Sequence, residues 1–142
     1  MEGKVQEIIE IMNIDKQLLD NLTAQAKASP RLRMNRDLRD SADDQSQRML
    51  NALEPGTVLP IHRHRTSSET VAILRGRAVQ HLYDEEGRLV ESVLLAPVAE
   101  DAVPAMNVEI GQWHRLEALE SGTVIVEFKN GPYVPISSED IM

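Results

Sequence analysis

The sequence predicts a mainly β domain of the barrel or sandwich type with one helix near its N-terminus. Three observations predict it. From residue 46 onward, short apolar runs recur near 46–53, 57–64, 69–75, 77–83, 88–95, 106–110, 113–118 and 123–129. Turn residues punctuate them: Glu54-Pro55-Gly56, Arg75-Gly76, Asp84-Glu85-Glu86-Gly87, Gly111 and Ser121-Gly122. Ahead of these runs, Asp15 stands as an N-cap before Leu18, Leu19, Leu22 and Ala26 at helical spacing, and Ser29-Pro30 ends the pattern.

The chain has 142 residues, which suits a single domain with a core of its own. The expected organisation is an N-terminal helix and loop packing on the barrel (1–45), the barrel itself (46–135) and a C-terminal tail (136–142). Residues 4–14 fit a helical stripe or a short strand equally well. Residues 30–45 are polar and read as a loop that crosses the surface or covers a site. Residues 137–142 read as a last turn of helix capped by Ser137 or Ser138.

Composition removes several function classes. The formal net charge is -8, which argues against nucleic acid and against an anionic membrane surface, since both need Lys and Arg. A local cluster of Arg31, Arg33, Arg36 and Arg39 still suits an anionic small molecule. There is no cysteine, so disulfides, thiolate metal sites and cysteine nucleophiles are out. No apolar run is long enough to span a membrane, and the first residues lack a signal-peptide pattern, so the cytoplasm is the expected location. Neither a nucleophile-elbow serine nor a glycine-rich phosphate loop is present.

The chemistry concentrates in residues 56–76. His62 and His64 are two apart, which on a strand puts both imidazoles on one face. Glu69 follows after a short turn and opens the next run. Far along the chain, Gly111-Gln112-Trp113-His114 brings a third imidazole just after a glycine turn. Three imidazoles and one carboxylate suit one divalent transition metal (Fe, Mn, Ni, Co or Zn) and leave positions open for chemistry. The ordinary alternatives are a basic surface patch for Arg63, His64 and Arg65, a salt bridge from Glu69 to Arg65 or Arg75, and a packed histidine beside Trp113. His81 fits no ligand pattern and is expected to be exposed or hydrogen-bonded.

Gly56, His62-x-His64, Glu69 and Gly76 match the first cupin motif at every defined position. The second motif is partial: Gly111 and His114 are in register, but Val103, Glu109 and Ala118 stand where Gly, Pro and Asn are usual. The chain thus resembles the cupin superfamily. Through SPRLRMN (29–35), QRMLNALEPGT (47–57) and GTVIVEFKNGPY (122–133) it is similar to the WbuC family of cupin-fold metalloproteins. The resemblance implies a double-stranded β-helix, or jelly-roll barrel, with the metal on His62, His64, Glu69 and His114. It also implies a setting in surface-polysaccharide (lipopolysaccharide O-antigen) biosynthesis and, by fold analogy, a homodimer. The N-terminal strand-like segment would be the natural element for such pairing.

Two functions follow as expectations. One is a metal-dependent enzyme, an isomerase or epimerase or a dioxygenase, acting on a small sugar-like or carboxylate molecule. The other is a non-catalytic, metal-dependent binding module. A metal-free cupin epimerase fits less well, because it has no need of the carboxylate ligand. Arg33 and Asn35 are candidates to hold an anionic group. Gln47 and Asn51, which share parity, are candidates to line the pocket, and Glu109 and Glu127 are candidate general bases.

Overall fold

The structure is a computed structural model in which residues 11–142 are described. The expected helix or strand over 4–14, and the pairing element built on it, fall largely outside those residues; residues 11–14 carry no regular structure. Helix α1 (Lys16–Ala28) starts where Asp15 accepts a hydrogen bond from Leu18 N at 3.0 Å. It stops at Ser29, whose backbone is already extended ahead of Pro30.

Eight strands follow: β1 (Arg33–Asp37), β2 (Ser46–Leu53), β3 (Glu69–Arg75), β4 (Ala78–Tyr83), β5 (Leu89–Leu95), β6 (Ala105–Val108), β7 (Trp113–Ala118) and β8 (Thr123–Asn130). They form a five-stranded sheet in the order β1-β2-β8-β3-β6 and a three-stranded sheet in the order β5-β4-β7. Every named pairing is antiparallel. The mainly β class with an N-terminal helix is as the sequence predicts.

Two segments differ from expectation. Residues 33–37, read as loop, form β1, paired with β2 from Arg33↔Leu53 to Asp37↔Met49. The strand escapes pattern reading because its inward side chains, Arg33, Asn35 and Asp37, line a polar cavity, while only Met34 packs toward the helix. Residues 57–64, read as a strand, run without a ladder; His62 alone bridges to His114 and to Ile141. Pro60 sits in this run, and proline has no N–H to give a ladder.

The parity of the large sheet separates two apolar clusters. Leu50, Ala52, Val124 and Val126 point outward and pack under Leu19, Leu22 and Ala26 of α1. Burying each leucine there contributes roughly 1.5–3 kcal/mol. The opposite parity, Leu53, Val71, Ile73 and Ile125, points inward and meets Ala78, Leu95, Leu116 and Ala118 around the small sheet. Arg75 ties the helix to the sheet end, donating from Nη1 to Asp20 (2.6 Å), from Nη2 to Thr23 Oγ1 (2.9 Å) and from Nε to Gly122 O (2.9 Å). Buried Glu54 receives Ser121 Oγ at 2.6 Å and Gly122 N at 2.7 Å, fixing the turn before β8.

The chain ends in a 3-10 turn, η1 (Ser138–Asp140), whose N-cap Ser137 makes no side-chain capping bond. Asp140 accepts from the Nε atoms of both Arg63 and Arg65, and the backbones join through Arg63 N→Asp140 O (3.0 Å) and Met142 N→Ile61 O (2.8 Å). Arg63 and Arg65 therefore face the terminal turn while the histidines between and before them face inward.

Gly76 and Gly111 both have left-handed backbones, at φ 87° and 79°. A Cβ on Gly76 would lie 2.7 Å from Thr123 Cα, whereas one on Gly111 would meet nothing within 4 Å. Gly111→Ala is expected to cost about 1–2 kcal/mol for the backbone alone, and Gly76→Ala distinctly more. Urea denaturation checks this, and equal losses would show that β8 yields at Thr123. A second expectation concerns pH. Arg65, and next to it Arg63, hold the Asp140 carboxyl below its ordinary range. A carboxylate whose pKa is lowered in the folded state contributes stability that is present above its unfolded pKa and lost as pH falls through the folded value. Asp140→Asn should lower the melting temperature at pH 7, with the gap to wild type closing once the pH is taken below about 4. No gap at pH 7 would mean the turn is held by its backbone bonds alone.

Candidate metal centre

The centre is built where the unladdered segment meets β7. His62 N donates to His114 O at 3.0 Å and His114 N donates to His62 O at 2.9 Å, a reciprocal antiparallel pair. It sets the two rings side by side, with centroids 4.3 Å apart. His64 is held by Gly111 N→His64 O at 2.8 Å, and its ring lies 5.1 Å from His62 and 5.4 Å from His114. Each of the three offers a nitrogen within 4.8 Å of the others. Glu69, buried at the start of β3, brings Oε2 to 3.0 Å from His64 Nε2 but out of line for a hydrogen bond. The structure therefore brings all four sequence-predicted residues together, with Glu69 reaching the cluster beside His64.

The protons are arranged for ligation at two of the three rings. Pro60 O (3.0 Å) and Gln112 O (2.8 Å) accept from Nδ1 of His62 and His114, which leaves each Nε2 with its lone pair free. The buried Nε2 atoms of His64 and His114 have no hydrogen-bond partner. A buried polar atom without a partner costs about 1–3 kcal/mol, a cost that an ion removes. Lys129 Nζ donates to His64 Nδ1 at 3.3 Å, which puts the His64 proton on Nε2, on the side of Glu69.

Charge follows the same design. Burial, reinforced by His62, pushes His114 down to about 4, and burial likewise lowers His62. Burial works to raise Glu69, but His64 and the other two imidazoles outweigh it and hold the carboxyl below its ordinary range. Neutral His62 and His114 beside an ionised Glu69 are protonation states that a divalent ion requires.

A cavity of about 350 Å³ opens above the histidines. Arg33, Asn35, Gln47 and Asn51 all line it, so the inner face of β1 and β2 is the odd-numbered one. Gln47 spends its amide N–H on Gly131 O at 2.8 Å. Of the two candidate bases, Glu109 accepts from Asn107 Nδ2 and is not among the lining residues, whereas Glu127 is. Removal from water first, and the Glu69 carboxylate second, push the Glu127 carboxyl up to about 8, against the pull of Lys129 and Asn51. Sequence reading missed Gln80. It is buried, lines the cavity and leaves its Oε1 without a partner. A polar residue at the inward parity of Ala78-x-Gln80 was the available signal. His81 lies outside, between Ser92 Oγ and Glu117 Oε2 at 2.8 Å each. Trp113 donates to Glu85 and carries the Arg63 guanidinium 4.5 Å above its ring.

The fold is similar to that of several solved proteins. One is CapF from Staphylococcus aureus, a capsular polysaccharide assembling protein, at 20% identity and TM-score 0.55 over 71% of this chain and 27% of that one. Another is an oxalate oxidase in complex with the substrate analogue glycolate, at 16% and 0.58 over 78% and 57%. A third is a cupin 2 domain-containing protein from Halorhodospira halophila, at 16% and 0.56 over 74% and 68%. The chain spans less than a third of the length of CapF. At these identities the likeness establishes the cupin fold. No curated protein matches the sequence. Residues 14–95, more than half of the chain, match the family described as a domain of unknown function, DUF6016, and the protein belongs to that family.

Proposed function

We propose that this protein binds one divalent transition metal through His62, His64, Glu69 and His114 and uses it to act on a small polar molecule in the cavity above. The observation that carries this reading is the pair of buried, partnerless Nε2 atoms on His64 and His114, within a cluster of three imidazole nitrogens and beside an ionised Glu69. Three nitrogens and one carboxylate fit Fe, Mn, Co, Ni or Zn, and the cavity gives a ligand access to the remaining positions. When bound, the ion supplies Lewis-acid polarisation of a substrate oxygen or, if redox-active, oxygen chemistry.

The chain's own residues supply the rest. Asn35, Asn51 and Gln80 offer amide groups to hydroxyl or carbonyl oxygens, and Arg33 offers a guanidinium. Glu127, with its carboxyl near 8, holds a proton at neutral pH and can give it to a substrate oxygen. A divalent cation beside Glu69 would offset the repulsion that raises Glu127 and bring it closer to an even balance of acid and base. This favours a proton-moving reaction such as isomerisation or epimerisation over a purely binding role. The sequence resemblance to WbuC proteins and the fold shared with a capsular polysaccharide assembling protein support a sugar derivative as substrate.

The test is elemental analysis of protein purified without chelator or His tag, beside a His62→Ala/His64→Ala variant. Near one equivalent of metal is expected in the wild type and none in the variant. At free metal a thousand times Kd, the wild type should gain about 4 kcal/mol of stability that the variant lacks. A wild type that takes up no metal after reconstitution with Fe, Mn, Co, Ni and Zn would sink the reading.

A further inference from the structure

Arg31 and Arg33 both line the cavity, on either side of Leu32. Among the described residues, Arg39, Arg48, Arg63, Arg65, Arg75 and Arg77 each have a carboxylate within ion-pair distance. Arg31, Arg33, Arg36, Arg88 and Arg115 have none among the described residues, and of these five only Arg31 and Arg33 line the cavity. The nearest acidic residue of β1, Asp37, is taken by Arg39. Arg33 is partly removed from water, and Arg31 stands close enough to add like-charge repulsion; both effects lower its pKa. Two guanidiniums are thus held together at the cavity wall, with no carboxylate of the described residues within ion-pair distance.

The backbone between them is strained. Leu32 has φ 57°, and it is the only non-glycine residue with positive φ among the described residues. For a leucine this costs about 1–2 kcal/mol. The strain is held in place by Leu32 O, which accepts from Glu54 N at 2.9 Å and Thr57 Oγ1 at 2.8 Å, and by Leu32 N, which donates to Ser29 O at 3.0 Å. A conformation pinned from both ends, against its own preference, fixes how the chain enters β1 and so where its two flanking arginines emerge.

We propose that Arg31 and Arg33 form a clamp for a phosphate group, so that the cavity takes a phosphorylated small molecule whose other end reaches the imidazoles. This deepens the proposed function and rests on the same cavity being the ligand site. The chemistry favours phosphate over a lone carboxylate. A carboxylate brings one charge and two oxygens, whereas a phosphate dianion brings close to two charges and three free oxygens, a fuller match to two cationic forks. The register also asks for length. Glu69 lies in one cross-strand row with Lys129 and Gln47, and Arg33 lies in the row of Leu53 and Thr123. These rows are six residues apart along β2, about 20 Å by strand rise, before the arginine side chain reaches back. A two-carbon acid cannot engage both ends, and a phosphorylated sugar derivative comes closer to the span.

The test needs no metal, so it separates the clamp from the metal reading. The full chain, freed of metal by chelator, is titrated with inorganic phosphate at low salt while the backbone amides of residues 31–35 are followed by NMR. Saturable shifts are expected there. Arg33→Gln and Arg31→Gln should each weaken binding roughly tenfold or more, as loss of a charge-assisted hydrogen bond implies. Arg33→Lys should fall between, and exposed Arg88→Gln should change nothing. Leu32→Gly keeps both charges but frees the backbone that aims them, so it should weaken phosphate binding several-fold with little change in melting temperature, relieved strain being offset by lost leucine packing and a freer unfolded chain. The clamp is overturned if the wild type shows no saturable shifts, if Arg33→Gln binds as the wild type does, or if Arg88→Gln loses as much. Metal content of Arg33→Gln is measured alongside and should match wild type. Absence of metal from every protein with phosphate binding intact would overturn the metal reading and leave the clamp standing.

Discussion

Two backbone hydrogen bonds between His62 and His114 hold the centre together. They join a segment that has no ladder of its own to the first residues of β7, and in doing so bring imidazoles 52 positions apart in sequence to adjacent places. The remaining geometry builds on that joint. His64 follows two residues on, steadied by Gly111 N. Glu69 arrives with the start of β3, which the register with β8 places in the same cross-strand row as Lys129. The terminal turn closes over the outer side, where Asp140 takes the two arginines that alternate with the histidines. One extended segment therefore keeps guanidiniums and imidazoles on opposite faces.

The large sheet does two jobs by alternation. Its even-numbered residues in β2 and β8 form a dry seat for α1. Its odd-numbered residues begin as apolar core at Leu53 and Ile125 and become polar toward Glu127, Lys129, Gln47 and Glu69. Apolar packing at one end supports the sheet, and the wet end gives up that packing to hold ionisable groups. The cost appears as partnerless atoms on His64, His114 and Gln80. Buried polar atoms of this kind are commonest where a protein binds something.

Much of this was legible in the sequence. The β runs from 69 onward and the run at 46–53 fall close to the strands found, because each is apolar on at least one parity and ends at a turn residue. His62, His64 and Glu69 could be grouped because their spacing is local. His114 could be added because a glycine turn precedes it. The missing pieces share a cause. β1 carries Arg33, Asn35 and Asp37 on its inward parity, so the rule that inward means apolar fails where the interior is a cavity. The same exception hid Gln80, and it left the parity of Gln47 and Asn51 open until the register with β8 settled it. The 57–64 run looked like a strand because it is apolar and extended, yet Pro60 denies it a ladder. The terminal turn is legible from Ser137 and Ser138, but its docking through Asp140 is not, since the partners lie 75 or more residues away.

The division of the proposed ligands between a local group and a distant one bears on how the chain would acquire an ion. His62, His64 and Glu69 lie within a stretch of eight residues, short enough to gather around a cation before any sheet exists. His114 joins only when β7 pairs with β4, a contact between segments far apart that forms slowly by comparison. A metal captured early would be held weakly by the partial set and would gain its last nitrogen as the barrel closes. Closure of the small sheet would then be the step that turns a loosely chelating peptide into a tight site, and the ion would pull the folding equilibrium forward as it is locked in.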